Sequence, residues 1–349
     1  MKKKLLPFLL SLCLLASCSS DSVESSNPSD SSGSVSGQES NNNTQEDGSQ
    51  EDGAQEEGTK GEEETTPDIT VNYYPDRAMM DRMNLPFTTP ESLDRIISTA
   101  PSNTEILIAL GLGDKIAVVD VYSEGLVGLP DDVMVIDFQT PDIEALMTAE
   151  CDIIIASEIN MAGGEDPFAQ MSEVGVPVAY LPTSISFADI YEDIFFLGEL
   201  TGYGETAEVI IEDMKSRVIA VSSTVASAET KSVYFEISPA PYLFTVGAGT
   251  FLDDAITLAG GVNIYTEDGW ISPTEEDILL LNPDIIITNA TYMEDPVGEI
   301  MARENWGDIT AVTEGQVYAV DNDQSSRPSH NAILALEAMA AAIHPDLFS

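Results

Sequence analysis

Positive charge is scarce in this sequence. Its 349 residues contain 13 lysines and arginines against 61 aspartates and glutamates, which gives a formal net charge of −48 at pH 7. Three of the lysines are clustered at positions 2–4. We expect no nucleic-acid partner, because a surface of this charge would repel the phosphate backbone.

Cysteine and histidine are scarce as well. Of the three cysteines, Cys13 and Cys18 lie in a segment that is interpreted below as an export signal, so Cys151 is left without a partner. An intramolecular disulfide is therefore not possible, and we expect Cys151 to be a small buried hydrophobe at the start of an apolar strand. Two histidines, His330 and His344, are too few for a histidine-based metal site.

The sequence also lacks the patterns of a catalytic site. It has no Gly-x-Ser-x-Gly motif, no nucleophile in a recognisable pattern with a base, and no histidine-rich metal signature. The Gly111-Leu112-Gly113 stretch follows a predicted helix, whereas a phosphate-binding glycine loop precedes one. We therefore predict a binding protein instead of an enzyme. Turnover of a substrate would revive the enzyme hypothesis.

Residues 1–18 have the pattern of an export signal. Three lysines precede an apolar stretch, Leu5 to Leu15, which is too short to span a bilayer permanently. The segment ends in Leu15-Ala16-Ser17-Cys18, the lipobox pattern at which bacterial lipoproteins are cleaved and lipidated. We predict that Cys18 carries the lipid, which anchors the protein at the cell surface, on the outer face of the cytoplasmic membrane.

Residues 19–66 are predicted to form a disordered acidic and serine-rich linker. They contain almost no apolar residue, so they cannot offset the entropy lost on ordering. Three copies of a five-residue acidic unit occupy positions 45–59. Repulsion between like charges extends such a segment. We interpret it as a tether, although a specific binding role for the acidic residues stays open.

A repeat divides the remaining chain of about 280 residues, a length sufficient for two lobes. Segments 144–156 and 276–288 each contain a glutamate, a short helical stretch and the motif Asp-Ile-Ile-Ile. The motif is β-branched and apolar on both faces, as a central parallel strand requires. We predict an α/β fold of two doubly wound lobes, residues 67–200 and 228–349.

One long helix, from Thr201 to about Ser227, is predicted to connect the lobes. Its expected buried stripe has apolar residues at steps of three and four. The residues of that stripe are Val209, Ile210, Met214, Val218 and Ile219. An ordinary crossover helix would have the same pattern, but the repeat on either side favours a rigid connecting helix.

The first lobe begins with a strand, a loop and a helix. A strand is predicted over residues 94–100, then a capping box from Ser102 to Glu105 opens a helix over residues 106–110. The next strand spans residues 115–121. The backbone N–H groups near Ser102 would then face the cleft of a doubly wound sheet.

The stretch from Arg95 to Lys115, which reads RIISTAPSNTEILIALGLGDK, resembles the opening of the substrate-binding lipoproteins of ABC importers for iron-siderophores and cobalamin. This is the class III family, which has a helical backbone. The resemblance covers residues 92–346, including both Asp-Ile-Ile-Ile motifs. It implies two lobes that close little around a cleft, an ABC permease with its ATPase as partners, and a monomer. Cys151 departs from the proline that is usual in the family.

The resemblance gives the repeated glutamates a role. In the family, one glutamate on each lobe docks onto arginines of the permease, and Glu144 and Glu276 match these positions. Two carboxylates held at a fixed distance on a rigid body would set both affinity and register. Alternatively, each carboxylate only stabilises the dipole of its helix.

The ligand cleft is predicted at loops that follow the strands. Aromatic side chains on such loops suit a large flat ligand, although each could also be a core residue. The predicted ligand-binding residues are Ser102, Asn103, Tyr122, Phe138, Glu158, Tyr242, Trp270 and Arg327. Of these, Tyr122 and Trp270 match aromatics of cobalamin binders, and Phe138 stands where another aromatic is expected.

The ligand is expected to be a metal complex, either a corrinoid, a ferric siderophore or haem, with no intrinsic cofactor. An anionic siderophore would need several cleft cations, and only Arg327 and Arg303 look available. Arg327 would pair with an acidic group of the ligand or with Asp323. Haem stays open because His330, Met161 or Tyr242 could ligate iron. A sensor that reports ligand occupancy without transport would have the same folded domain.

Overall fold

The structure, a computed structural model, describes residues 71–348. The predicted export signal, Cys18 and the acidic linker lie outside these residues. The strands are β1 (Ala78–Met80), β2 (Pro86–Thr88), β3 (Ile96–Ser98), β4 (Ile116–Asp120), β5 (Met134–Ile136), β6 (Ile153–Ser157), β7 (Val178–Leu181), β8 (Lys231–Glu236), β9 (Thr245–Val246), β10 (Gly261–Asn263), β11 (Trp270–Ile271), β12 (Ile285–Thr288) and β13 (Val317–Ala319).

Eleven α-helices are present between residues 71 and 348. They are α1 (Pro101–Ala109), α2 (Ile143–Thr148), α3 (Ala169–Glu173), α4 (Phe187–Thr201), α5 (Gly204–Val225), α6 (Phe251–Leu258), α7 (Glu275–Leu281), α8 (Pro296–Met301), α9 (Thr310–Thr313), α10 (Asn322–Ser326) and α11 (Ala332–Ile343). In this part of the chain, no helix has both the length and the apolar character needed to cross a membrane.

Two parallel sheets share one strand order. The amino-terminal sheet runs β5-β4-β3-β6-β7, and the carboxyl-terminal sheet runs β10-β8-β12-β13. All pairings within both sheets are parallel, and β4-β3-β6-β7 corresponds to β10-β8-β12-β13. The predicted α/β fold of two doubly wound lobes is therefore confirmed.

The two Asp-Ile-Ile-Ile motifs occupy equivalent central strands, β6 and β12, and their isoleucines are buried. The aspartate before each strand secures the start of its neighbour. Asp152 accepts the backbone N–H of Asp94 at 2.7 Å, and Asp284 accepts the backbone N–H of Ser232 at 2.9 Å. The repeated motif thus determines both a buried strand and its register.

The connecting helix α5 has 22 residues and is about 33 Å long. It is shorter than predicted, because Thr201 is the last residue of the preceding helix α4. Gly202 then takes a left-handed conformation with φ of 83°, which ends α4, and α5 begins two residues later. The lobe boundaries at residues 200 and 228 stay a prediction.

The buried face of α5 differs from the predicted stripe. Val209 is 71% exposed and Ile219 is 64% exposed, and the prediction for these two residues was wrong. The residues that α5 buries are Ala207, Ile211, Met214, Val221 and Val225. Ala207 starts this stripe because it packs against Gly198 of α4, where a β-carbon would lie only 2.4 Å from the alanine methyl group.

One apolar cluster runs through both lobes. It includes one face of each sheet together with buried residues of α4, α5 and α11. The opposite face of each sheet packs in a separate cluster. Cys151 belongs to the amino-terminal one, where burial raises the pKa of its thiol to about 11. The prediction that Cys151 is a buried hydrophobe is confirmed.

The start of α1 differs from the predicted capping box. The helix begins at Pro101, five residues before the predicted first residue, and no side chain caps it. Proline is favoured at this position because its missing N–H is not needed there. Ser102 and Glu105 therefore lie within the helix, and Glu105 is released for a contact with the other lobe.

Candidate functional site

The two lobes face each other through the carboxyl ends of their strands. Arg327, which follows α10, donates to the backbone carbonyl of Tyr122, the second residue after β4, at 3.4 Å. Asp254 of α6 accepts the backbone N–H of Phe187, the first residue of α4, at 2.8 Å. Strand ends of open α/β sheets are where ligands bind, so this seam is the candidate ligand cleft.

A network of hydroxyl groups holds the end of β4. Ser123 donates to the carboxylate of Asp120, which also accepts the backbone N–H of Tyr122 at 2.8 Å. The Ser123 hydroxyl also lies 3.1 Å from that of Thr104, which in turn lies 2.8 Å from that of Ser98. Burial raises the pKa of Asp120, and these donors oppose the shift. The loop that carries Tyr122 is therefore fixed from inside.

Asn160 holds the neighbouring loops in the same way. Its side-chain oxygen accepts the hydroxyl of Thr99 and the backbone N–H of Ser157, both at 2.7 Å, and its amide donates to the carbonyl of Phe138 at 3.3 Å. Asn160 is buried. It was not singled out as a predicted ligand-binding residue, although it lies in the loop that follows the first Asp-Ile-Ile-Ile strand, where cleft residues were expected.

The structure brings Tyr122 and Phe138 together. Their ring centroids lie 5.9 Å apart with the planes tilted by 56°, and both side chains are half-buried. Burial, with the carboxylates of Asp120 and Asp137 nearby, raises the pKa of Tyr122. Tyr122 and Phe138, which were predicted separately from the sequence, thus form one aromatic pair at the edge of the candidate cleft.

The other predicted residues of the amino-terminal lobe differ in accessibility. Glu158 is exposed, and its carboxylate accepts the backbone N–H of Thr183 at 3.0 Å. Ser102 is half-buried in the first turn of α1. Asn103 is only 4% exposed, and its amide donates to the carbonyl of Ala156 at 3.4 Å. The structure thus places Asn103 in the packed interior.

Aromatic residues of the carboxyl-terminal lobe lie on its rim. Tyr242 is 77% exposed on a turn after β8. Tyr292, which was not predicted, is exposed four residues beyond β12. Its position after the second Asp-Ile-Ile-Ile strand is the signal that could have identified it. Trp270 lies in the short strand β11, not on a free loop, and its ring stacks on that of Phe244 at 6.0 Å.

Arg327 connects the lobes. It forms the predicted ion pair with Asp323 at 2.8 Å, and also an unpredicted one with Glu105 of α1 at 2.8 Å. Glu105 is buried, and it also accepts the hydroxyl of Ser329 and the amide of Asn331, the latter at 3.1 Å. Of the two alternatives left open for Arg327, the structure contains the contact with Asp323.

Arg303 is not the available cation that the sequence indicated. Its guanidinium bonds both carboxylate oxygens of Glu236, at 2.6 and 2.8 Å, and the carboxylate of Glu299 at 2.5 Å. It also lies 4.4 Å from the ring centroid of Trp306. The side chain of Arg303 is only 7% exposed, so a ligand would have to displace two carboxylates to reach it.

The candidate iron ligands differ in their surroundings. His330 has its Nδ1 buried without a hydrogen-bond partner among the described residues, and burial lowers its pKa against the opposing effect of Glu105. Met161 packs against an apolar cluster of the amino-terminal lobe. Between residues 71 and 348, no three histidine, cysteine or acidic side chains are close enough to hold a metal ion.

Glu144 and Glu276 occupy equivalent positions in the two lobes. Each is the second residue of a short helix, α2 or α7, whose N-cap is Asp142 or Thr274. Leu146 and Ile278, two residues further on, are both buried. The two carboxylates are exposed and have no hydrogen-bond or ion-pair partner within the described part of the chain.

Two open concavities lie elsewhere on the amino-terminal lobe. One, of about 600 Å³, is bounded by residues 86–91 and by the starts of β6 and β7. The other, of about 790 Å³, lies between β1 and helices α4 and α5. Neither is lined by a predicted site residue, so the candidate site stays at the seam between the lobes.

Two α/β lobes joined by one helix, with polar strand ends meeting at the seam, define a bilobal binding protein. The periplasmic binding protein family matches residues 96–324, so the chain belongs to that family. An uncharacterised ABC transporter substrate-binding lipoprotein of Bacillus subtilis, YvrC, is 31% identical over 275 residues, which are 77% of this chain and 85% of that protein.

Another relative and a solved structure support the same family. A vitamin B12-binding protein of Vibrio cholerae is 28% identical over 72% of this chain and 91% of its own length. The crystal structure of a possible iron-binding, periplasmic solute-binding protein of Staphylococcus epidermidis superposes with a TM-score of 0.63, at 28% identity, over 72% of this chain and 98% of that chain. The chain is the extracytoplasmic substrate-binding component of an ABC transporter, which works with a permease and an ATPase and is not an enzyme.

Proposed function

We propose that this protein captures a corrinoid or a ferric complex between its lobes and docks on the permease through Glu144 and Glu276. One observation carries the docking proposal. The two glutamates occupy the same position of equivalent helices, one in each lobe, and both carboxylates are exposed and unpaired in the described part of the chain. A structural role in capping is already filled by Asp142 and Thr274.

The rigid body behind the two helices supports this proposal. Leu146 and Ile278 anchor the helices in separate apolar clusters of their lobes, and α5 joins the lobes through a shared core. Two carboxylates on such a body keep a fixed separation. Charge-assisted hydrogen bonds to two permease arginines would then depend on both lobes being correctly oriented.

The ligand proposal is supported by the aromatic side chains at the seam and by the similarity to a vitamin B12-binding protein. The Tyr122–Phe138 pair and the exposed Tyr242 offer flat apolar faces. Such faces suit a macrocyclic metal complex better than a small polar solute.

Membrane attachment through Cys18 and the acidic tether completes the proposal. The relative from Bacillus subtilis is named as a lipoprotein, which supports the lipobox interpretation. A lipid at Cys18 would keep the receptor close to the permease, and residues 19–66 would give it reach. Cleavage and lipidation are tested by mass spectrometry of the mature amino terminus.

The docking proposal is tested with the double variant Glu144→Ala, Glu276→Ala. We expect the variant to lose binding to the reconstituted permease–ATPase complex, because both charged contacts are removed, while its ligand affinity is unchanged. Surface plasmon resonance measures the first quantity and calorimetry the second. The matched control is Glu205→Ala, Glu208→Ala, which removes two exposed carboxylates from α5.

Permease binding at wild-type strength by the Glu144 and Glu276 variant would contradict the docking proposal. A large loss of ligand affinity in the same variant would mean that these carboxylates belong to the cleft. Each single variant is expected to retain part of the permease affinity, because the other lobe still contributes its contact.

A further inference from the structure

The described part of the chain contains nine lysines and arginines, and seven of them lie outside the loops that follow the parallel strands of the two lobes. Two flank β1, one on each side, and two lie on α5. The remaining three precede or begin strands, at the edge of the sheets opposite to the seam. These seven residues are Arg77, Arg82, Arg95, Lys115, Lys215, Arg217 and Lys231.

Each of the two cations on the seam side forms ion pairs with two carboxylates. Arg303 bonds Glu236 and Glu299, and Arg327 bonds Glu105 and Asp323. By formal charge, each of these clusters carries one more negative than positive charge. The seam therefore has no cation left for an acidic group of a ligand among residues 71–348.

Six exposed carboxylates follow strands of the two lobes. They are Asp137, Glu158 and Glu165 in the amino-terminal lobe, and Glu267, Glu294 and Asp321 in the carboxyl-terminal lobe. None of these six forms an ion pair with a described lysine or arginine. A cleft lined by one sign of charge concentrates its field and attracts ligands of the opposite sign.

We infer that the cleft selects a macrocyclic or chelated metal complex with no net negative charge. This inference rests on the proposed receptor function and names its substrate class. An anionic complex would lose its hydration without gaining a cation, which is costly. A neutral or cationic complex loses less and can still use the rings of Tyr122, Phe138 and Tyr242.

The test compares metal complexes of different charge on the full chain. The probes are cyanocobalamin, which is neutral overall, aquacobinamide and ferrioxamine B, which are cationic, and haemin and a ferric tris-catecholate, which are anionic. Affinities are measured by tryptophan fluorescence quenching and calorimetry at low and high salt. We expect the best neutral or cationic probe to bind at least about tenfold more tightly than either anionic probe.

Salt and charge variants sharpen the result. We expect salt to weaken the binding of a cationic probe, because screening reduces attraction between exposed charges. Glu158→Gln should weaken aquacobinamide binding about threefold to tenfold more than it weakens cyanocobalamin binding, which is the scale of one charge pair in water. Glu205→Gln on α5 is the matched control and should change neither affinity.

The two proposals fail in different ways. If haemin or the ferric catecholate binds as tightly as any neutral or cationic probe, the charge inference is overturned while the receptor function stands. If none of the five probes binds, the proposal of a metal-complex receptor is overturned together with the inference. Equal loss of cyanocobalamin and aquacobinamide affinity in Glu158→Gln would also count against selection by charge.

Discussion

The two lobes repeat one strand order but stabilise the buried carboxylate at a strand end differently. Each lobe buries one carboxylate at the end of a strand, Asp120 in β4 and Glu236 in β8. The amino-terminal lobe surrounds Asp120 with a hydroxyl and a backbone N–H, whereas the carboxyl-terminal lobe provides Glu236 with the guanidinium of Arg303. The strands β4 and β8 are not equivalent, because β4 corresponds to β10 and β3 to β8. The shared topology therefore determines neither which strand carries a buried acid nor how that acid is stabilised.

The largest expected effect is the loss of unfolding free energy in the variant Arg303→Met of the carboxyl-terminal lobe. Removing the guanidinium leaves Glu236 buried without a cation, which typically costs about 3–5 kcal/mol of unfolding free energy. Urea unfolding followed by circular dichroism measures the loss. Lys215→Met, which removes an exposed cation from α5, is the control and should change stability little.

The stability of the Arg303→Met variant is expected to depend on pH. Burial raises the pKa of Glu236, and Arg303 opposes that shift. Without Arg303 the folded-state pKa rises further above the unfolded value, so protonation favours the folded state. The stability deficit should be largest near neutral pH and should shrink as pH falls through the raised pKa. A deficit that is the same at about pH 5 and about pH 8 would contradict this explanation.

A smaller effect is expected from Ser123→Ala in the amino-terminal lobe. The variant removes one donor to Asp120 but leaves the backbone N–H of Tyr122, so we expect a loss of about 1–3 kcal/mol in unfolding free energy. Urea unfolding again provides the measurement, with Ser216→Ala on the exposed face of α5 as control. A loss as large as that of Arg303→Met would show that the lobes do not differ in this respect.

The smallest effect on stability is expected from Tyr242→Ala. Its side chain is largely exposed, so the unfolding free energy should change by less than about 0.5 kcal/mol. Affinity for the best-binding metal complex should nevertheless fall by about 1–3 kcal/mol if the ring is a stacking contact. Calorimetry tests this, and Tyr74→Ala, an exposed tyrosine on the amino-terminal segment, is the control. Unchanged affinity would remove Tyr242 from the proposed site.

Much of the fold could be predicted from local patterns. The two Asp-Ile-Ile-Ile motifs predicted central parallel strands, because a strand covered on both faces must be apolar on both. Their duplication predicted two similar lobes. Helix ends were less accurate, since Thr201 ends α4 through a left-handed Gly202 and Pro101, not Ile106, begins α1.

The candidate site was predicted less well, because its contacts join residues far apart in the chain. Glu105 and Arg327 are separated by 222 positions, and Glu236 and Arg303 by 67. The pair with Glu299 could have been predicted, because Glu299 lies four residues before Arg303, but nothing near Arg303 in the sequence indicates the pair with Glu236. The prediction that Val209 and Ile219 are buried was wrong for a related reason, since the side of a helix that is buried depends on what packs against it.

By itself the sequence determined the α/β class, the duplicated strands and the scarcity of positive charge, because these follow from local composition and periodicity. Only the tertiary structure decided which cations remain available, since pairing depends on distances in space. It also decided that Tyr122 and Phe138 meet and that Asn103 is enclosed. Local patterns specify which groups are present, and packing specifies which of them can still reach a ligand.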